Sequence, residues 1–145
     1  MNDYRLYIDG GFRDARSNRW TDVINPATQQ VIACVPDGDA SDVDDAVRCA
    51  RRAFETRPWR DITAQERGRI LFRLAQIVRD HAAEWAELET INNGKPIIES
   101  ELDIADVATC FEYYGGLATK IHGDVIPVPD NAMSLALREP IGVCG

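Results

Sequence analysis

The sequence predicts an α/β chain: a small β-meander, then a run of helices, then a β-ribbon. Three observations carry this. Short apolar runs separated by turn-forming pairs occupy residues 4–36. Between Thr63 and Pro96, Ile70, Leu71, Leu74, Ile77, Val78, Trp85 and Leu88 recur at helical steps and fall on one side of a helix. After His122-Gly123 the pattern turns extended again, with Pro127 and Pro129 as punctuation.

Taken in order, Leu6-Tyr7-Ile8 is a strand, Asp9-Gly10-Gly11 a hairpin turn, and Phe12 begins the return. Trp20–Ile24 is a second extended piece, stopped by Asn25-Pro26, and Val31–Val35 a third, stopped by Pro36-Asp37-Gly38. Ser41 is expected to cap a helix with Asp42, Asp44 and Asp45 in its first turn, where the dipole favours negative charge. Val43, Ala46, Val47, Ala50, Ala53 and Phe54 form its apolar stripe, and Arg48, Arg51 and Arg52 lie off it. The three arginines allow an anion site or a solvated face that complements the dipole. Thr63 and Glu66 have capping-box spacing. Asp80 is placed to restart the helix after a break near His81, and Gly94 and Pro96 end it. A further helix is expected from Leu102 to Ile121, on Ile104, Val107, Phe111, Tyr114, Leu117 and Ile121. Gly115-Gly116 within it points to close packing against a neighbour. Val125–Val128 and Ser134–Leu137 pair across a turn at Pro129-Asp130-Asn131, and Ile141 opens another strand.

A chain of 145 residues with 45% hydrophobic and 28% charged residues supports a folded core. Its net charge of −8 argues against nucleic-acid binding, which needs a basic surface. It has no bilayer-length apolar run, and MNDYRLYIDGG lacks the apolar core of a signal peptide, so the default expectation is a cytoplasmic location without membrane contact. Cys34, Cys49, Cys110 and Cys144 lack metal-ligand spacing and are expected to be reduced, mostly buried thiols. His81 and His122 stand alone in sequence.

The wording WR…ERGRILFRLA…LETINNGKP resembles the N-terminal part of the aldehyde dehydrogenase family. EYYGGLATKIHGDVIPVP and REPIGVCG resemble the next segments in the same order, so the likeness covers Leu6 to Gly145. It implies that residues 1–122 are the N-terminal part of a Rossmann-like cofactor-binding domain, with the meander at 4–36 and helices at 41–121. It also implies an oligomerisation ribbon at 123–140, reaching a neighbouring subunit through 124–139, and the start of the first Rossmann strand at 141–145. The cofactor implied is NAD or NADP, the substrate an aldehyde, and the assembly a homo-oligomer.

In that family the nucleophilic cysteine, the general-base glutamate and the oxyanion asparagine follow a REPIGVCG-like segment, so all fall beyond Gly145. None of the four cysteines matches the nucleophile, and the chain alone is expected to be inactive. The resemblance implies two peripheral features. A monovalent cation sits near the NPAT turn in many relatives, on positions matching Val23, Ile24 and Asn92. Here an amide replaces the family's carboxylate at Asn92, which is alternatively a helix-terminal residue. The stretch DIADVATCFEYY closely resembles plant-type aminoaldehyde and betaine aldehyde dehydrogenases, whose two acids line the aldehyde tunnel and suit a cationic substrate. The matching residues are Asp103 and Asp106, which are alternatively acids placed near a helix N-terminus for the dipole. The competing function is a noncatalytic oligomerisation or interaction module that adds its ribbon to another sheet.

Overall fold

The computed structural model describes residues 2–145. Its first strands are β1 (Asn2–Asp3), β2 (Leu6–Ile8), β3 (Gly11–Arg13), β4 (Trp20–Ile24) and β5 (Val31–Pro36). Asp9 and Gly10 join β2 to β3 with φ of 56° and 77°, the left-handed pair that a tight two-residue hairpin demands. The expected meander is divided in two. β2 and β3 stand as a separate hairpin, while β1, β5 and β4 form a sheet in that order, with β1 parallel to β5. The cause lies in the link between β3 and β4. Ala15 is buried, and the next backbone N–H, of Arg16, donates to the buried Asp42 carboxylate at 3.2 Å, so the chain visits the first helix before β4.

That helix, α1 (Ala40–Glu55), is capped by Asp39 and not by Ser41. The Asp39 carboxylate accepts from the Ser41 and Asp42 N–H groups at 2.9 and 3.2 Å, and Asp42 accepts from the Asp39 N–H at 3.1 Å. This is a capping box with carboxylates in both roles. α2 (Ala64–Asp80) has the expected box: the Glu66 N–H donates to Thr63 at 3.2 Å and the Thr63 N–H to Glu66 at 2.7 Å. The break falls at His81, before α3 (Ala82–Asn93), but Asp80 closes α2 by accepting from Gln76 and does not cap α3. Gly94, at φ 73°, ends α3 as expected. α4 (Ile97–Leu117) begins well before Leu102, because Pro96 holds the N-cap position, and it stops short of Ile121.

α2 and α4 cross backbone to backbone. A Cβ on Gly68 would lie 2.7 Å from the Gly115 carbonyl oxygen, and one on Gly115 would lie 3.2 Å from that of Gly68. Close packing accounts for Gly115 as expected, while a Cβ on Gly116 would meet nothing within 4 Å. Arg79 spans the same pair of helices and reaches Glu112 at 2.7 Å. β6 (Asp124–Ile126) and β7 (Ser134–Ala136) form the predicted antiparallel ribbon. Ile141 is 92% exposed and opens no strand, because no described strand lies beside it to accept its hydrogen bonds.

The core is small. Among the described residues its buried apolar side chains are Ala15, Ala33, Ala75, Val78, Ala86 and Ala108. A self-contained folded monomer of this length exposes roughly 7,500 Å², whereas this chain exposes 11135 Å². Large apolar side chains on every helix, among them Val43, Phe72, Ile77, Leu88 and Ile98, remain open. Among the described residues no helix is long and apolar enough to cross a membrane.

Candidate functional site

The site is a corner where two turns meet. In the β4–β5 loop the Asn25 side chain accepts from the Ala27 N–H at 2.9 Å and the Thr28 N–H at 3.3 Å, which folds Asn25-Pro26-Ala27-Thr28 into a tight turn. The second turn is Gly94, between α3 and α4. A Cβ there would lie 2.9 Å from Pro26 Cγ and 3.2 Å from the Ala27 nitrogen. Glycine is therefore required twice, by its positive φ and by this contact.

A cleft of about 780 Å³ opens beside the corner, between the β4–β5 sheet and α3–α4. Its lining is chiefly apolar, with Val23, Ile32, Val35, Trp85, Leu88, Ile104 and Val107 around the polar Glu89 and Asn92. Val23 and Asn92 thus share one cavity, while Ile24, half exposed, is outside its lining. A bulge shifts the β4–β5 register between Val23 and Ile24, turning the backbone at the two positions implied for a cation. Asn92 lies in the last turn of α3, as its alternative reading requires. Among the described residues no three His, Cys, Asp or Glu side chains converge to hold a metal.

Lys95 lies next to the corner glycine. Its ammonium reaches Glu89 at 2.6 Å and also the Asp103 carboxylate, and it is largely buried. The hydrogen bonds to Asp103 and then Glu89 raise its pKa above the ordinary lysine value, against the opposing pull of burial. Asp103 is therefore tied to the α3–α4 corner. Asp106, one turn further along α4, is exposed and has no ion-pair partner among the described residues. The two acids share a helix face but differ in their surroundings. The sequence reading missed the Glu89–Lys95–Asp103 bridge. Its members are six and eight residues apart and on different elements, so no helical spacing marks them. Between the same two helices Thr90 and the buried Ser100 hydroxyl share a hydrogen bond of 2.8 Å.

The cysteines depart from expectation. Cys34 and Cys49 are half-buried, and Cys110 and Cys144 are exposed; none forms a disulfide. Cys110 lies on the outward side of α4, and Cys144 lies in a segment without regular structure. Gly142–Gly145 has no regular structure, and the described residues build no glycine cradle for a dinucleotide phosphate.

The sequence model of the aldehyde dehydrogenase family matches residues 12–145. The chain belongs to the aldehyde dehydrogenase family. It is 42% identical over 142 residues to betaine aldehyde dehydrogenase of Bacillus subtilis, covering 97% of this chain and 29% of that protein. It is 43% identical to the human mitochondrial aldehyde dehydrogenase over 143 residues, 97% of this chain and 28% of that one. The crystal structure of a putative aldehyde dehydrogenase from Burkholderia cenocepacia matches with a TM-score of 0.88 at 36% identity, covering 94% of this chain and 28% of that one. A Staphylococcus aureus betaine aldehyde dehydrogenase, solved in complex with NAD+, matches at 0.82 and 38% identity, covering 88% and 26%. The chain thus spans less than a third of the length of these aldehyde dehydrogenases. The α/β class and the family resemblance are both borne out.

Proposed function

We propose that this chain is the N-terminal portion of an NAD(P)-dependent aldehyde dehydrogenase that oxidises aldehydes to carboxylic acids. The observation that carries the reading is the excess of exposed surface, 11135 Å² against roughly 7,500 Å² for a self-contained monomer of this length. Helical faces this apolar are shaped to be covered, and family members have more than twice as much further chain. The nicotinamide accepts a hydride when bound. The residues present here form no site for it, so the contacts to the dinucleotide and to the reacting carbon are assigned to segments after Gly145. On this reading residues 1–145 alone are inactive, the β6–β7 ribbon at 124–139 joins subunits, and Ile141 enters the first strand of the cofactor sheet.

Within the complete enzyme, Asp106 is the acid proposed to favour a cationic aldehyde, because Lys95 already neutralises Asp103. The bulged backbone at Val23 and Ile24, with Asn92 opposite Val23 across the cleft, is the proposed seat of a monovalent cation. Backbone oxygens there need no carboxylate to hold a hard ion.

The test is nicotinamide reduction by the full gene product, with neutral and quaternary-ammonium aldehydes, alongside residues 1–145 alone. Activity is expected only in the full product. Asp106→Asn should raise KM for the cationic aldehyde alone, and Asp103→Asn should leave the preference unchanged. A reading frame that stops after Gly145 and yields a stable soluble product would sink the enzyme reading. Equal effects of the two Asn variants on preference would sink the assignment to Asp106.

A further inference from the structure

A second cavity, of about 530 Å³, lies between the β2–β3 hairpin and α1. Arg13, Arg48 and Arg52 line it, together with Asp9, Asp45 and Cys49. These arginines are not simply a solvated helix face. Arg13 comes from the hairpin, and Arg48 and Arg52 from successive turns of α1, so the fold brings them to one cleft from two elements.

The donors outnumber the acceptors. Asp45 takes ion pairs from Arg13, at 3.6 Å, and from Arg16 and Arg48. Arg52 pairs with Asp9 at 2.7 Å and reaches the Cys49 sulfur at 3.7 Å. Among the lining residues three guanidiniums thus face two carboxylates, a local excess of one positive charge in a chain whose net charge is −8; Arg16 stands outside the lining, with the Asp42 carboxylate on its backbone N–H. Each guanidinium has five N–H donors, and one carboxylate offers about four acceptor positions. The Arg13 Nε–H is buried with no acceptor among the described residues. Burial opposes ionisation of Asp45, but the Arg48 hydrogen bond and the charges of Arg16, Arg48 and Arg13 outweigh it, so this carboxyl stays charged and the excess is one and not two.

We infer that this cleft is an oxyanion site that takes a phosphoryl group between Arg13, Arg48 and Arg52. Guanidinium forks match phosphoryl oxygens in pairs. Phe12 lines the same cleft, is 73% exposed and packs on Tyr7 with ring centroids 5.0 Å apart. It offers an apolar face beside the phosphoryl position, suited to the flat ring of a nucleotide. The phosphoryl group comes either from inorganic phosphate or from a nucleoside monophosphate.

Cys49 makes the site readable without any activity assay, so this inference and the dehydrogenase reading fail separately. The full gene product is alkylated with the uncharged reagent iodoacetamide, and the rate at Cys49 is followed by peptide mass spectrometry. The comparison is between inorganic phosphate, adenosine monophosphate and sodium chloride at equal ionic strength. Occupancy slows the reaction by one plus the ratio of ligand concentration to its dissociation constant, about 11-fold at ten times that constant. Saturable protection by phosphate, absent with chloride and lost in Arg48→Gln plus Arg52→Gln, is the expected result. Tighter protection by the monophosphate, lost in Phe12→Ala, identifies a nucleotide; equal protection identifies the free anion. Chloride protecting as well as phosphate, protection surviving the double arginine variant, or a Cys49 rate unmoved by either phosphate overturns the inference. Arg48 and Arg52 are both exposed along their length, so their replacement leaves the core intact, and a circular dichroism spectrum checks this.

Discussion

Three glycine-to-alanine changes at the α2–α4 crossing have different expected signs. A helix interior gives alanine about 1 kcal/mol over glycine from propensity alone, in full at Gly68 and in part at Gly115 and Gly116, which lie in the last turn of α4. At Gly68 the new methyl carbon would lie 2.7 Å from the Gly115 carbonyl oxygen, a backbone atom that cannot turn aside. The helices must separate, and overpacking of this kind costs about 1–3 kcal/mol, more than the propensity gain at most values in that range. At Gly115 the nearest atoms are the Gly68 oxygen and the Phe72 ring, both at 3.2 Å. Phe72 is half exposed and can move, and the Gly68 oxygen needs to give by only a few tenths of an ångström, so gain and cost nearly cancel. At Gly116 nothing lies within 4 Å and the propensity gain stands alone. The urea midpoint of the full gene product is therefore expected to rise for Gly116→Ala, stay near wild type for Gly115→Ala and fall for Gly68→Ala. If Gly68→Ala is as stable as wild type, or Gly116→Ala is as harmful as Gly68→Ala, the close crossing is wrong.

Gly94→Ala should cost about 1–3 kcal/mol, because the left-handed φ of 73° and the 2.9 Å approach to Pro26 both penalise a side chain; a urea titration checks it, and a neutral result would show that the two turns do not touch. Thr63→Ala should cost about 1 kcal/mol through loss of the α2 cap, seen as faster hydrogen exchange confined to the first turn of α2. In acid, the Ser41 hydroxyl bond holds the Asp39 carboxyl below its usual range, and the Thr63 N–H and then its hydroxyl, the part that Thr63→Ala removes, do the same for Glu66. A depressed acid lends stability that is full above its ordinary value and lost as pH falls through its folded value. The unfolding midpoint should therefore hold from neutrality down to the usual carboxylate range and fall below it, with a smaller fall in Thr63→Ala. For Lys95, whose value is raised, the contribution is full below the ordinary lysine value and lost as pH rises through the higher folded one.

What could be read from the sequence was local. Thr63 and Glu66 are three residues apart, so their capping box needs only one helical turn to form. Gly94 ends α3 through its own φ and its own N–H bond to Thr90. The β2–β3 turn needs only Asp9-Gly10. Long-range contacts leave no such local mark. The meander divides because Arg16 donates to a carboxylate 26 residues away, and no pattern near either residue announces that bond. Asp39 takes the cap because the helix already begins at Ala40, which puts Ser41 inside the first turn, and the paired carboxylate at Asp42 closes the box onto the Asp39 N–H. Cysteine's tendency to burial places all four inside, but the six buried apolar residues among those described make a core too small to shelter them.

The candidate site follows the same rule. Val23 and Asn92 could be matched by motif, but only the fold places them on one cleft. Asp103 and Asp106 are equivalent in sequence, three apart on one helical face. The bridge from Lys95 separates them, and Lys95 is positioned by the turn at Gly94, which packs against Pro26. One four-residue stretch, Asn93-Gly94-Lys95-Pro96, thus closes α3, receives the β4–β5 turn, neutralises Asp103 and starts α4. A change in that stretch reaches both ends of the cleft. Lys95→Met would free Asp103 and Glu89 together, leaving two carboxylates near a wall that is otherwise apolar. In the complete enzyme that variant should bind cationic aldehydes at least as well as wild type while losing stability. If it weakens both, Lys95 acts on the substrate directly and not by occupying Asp103.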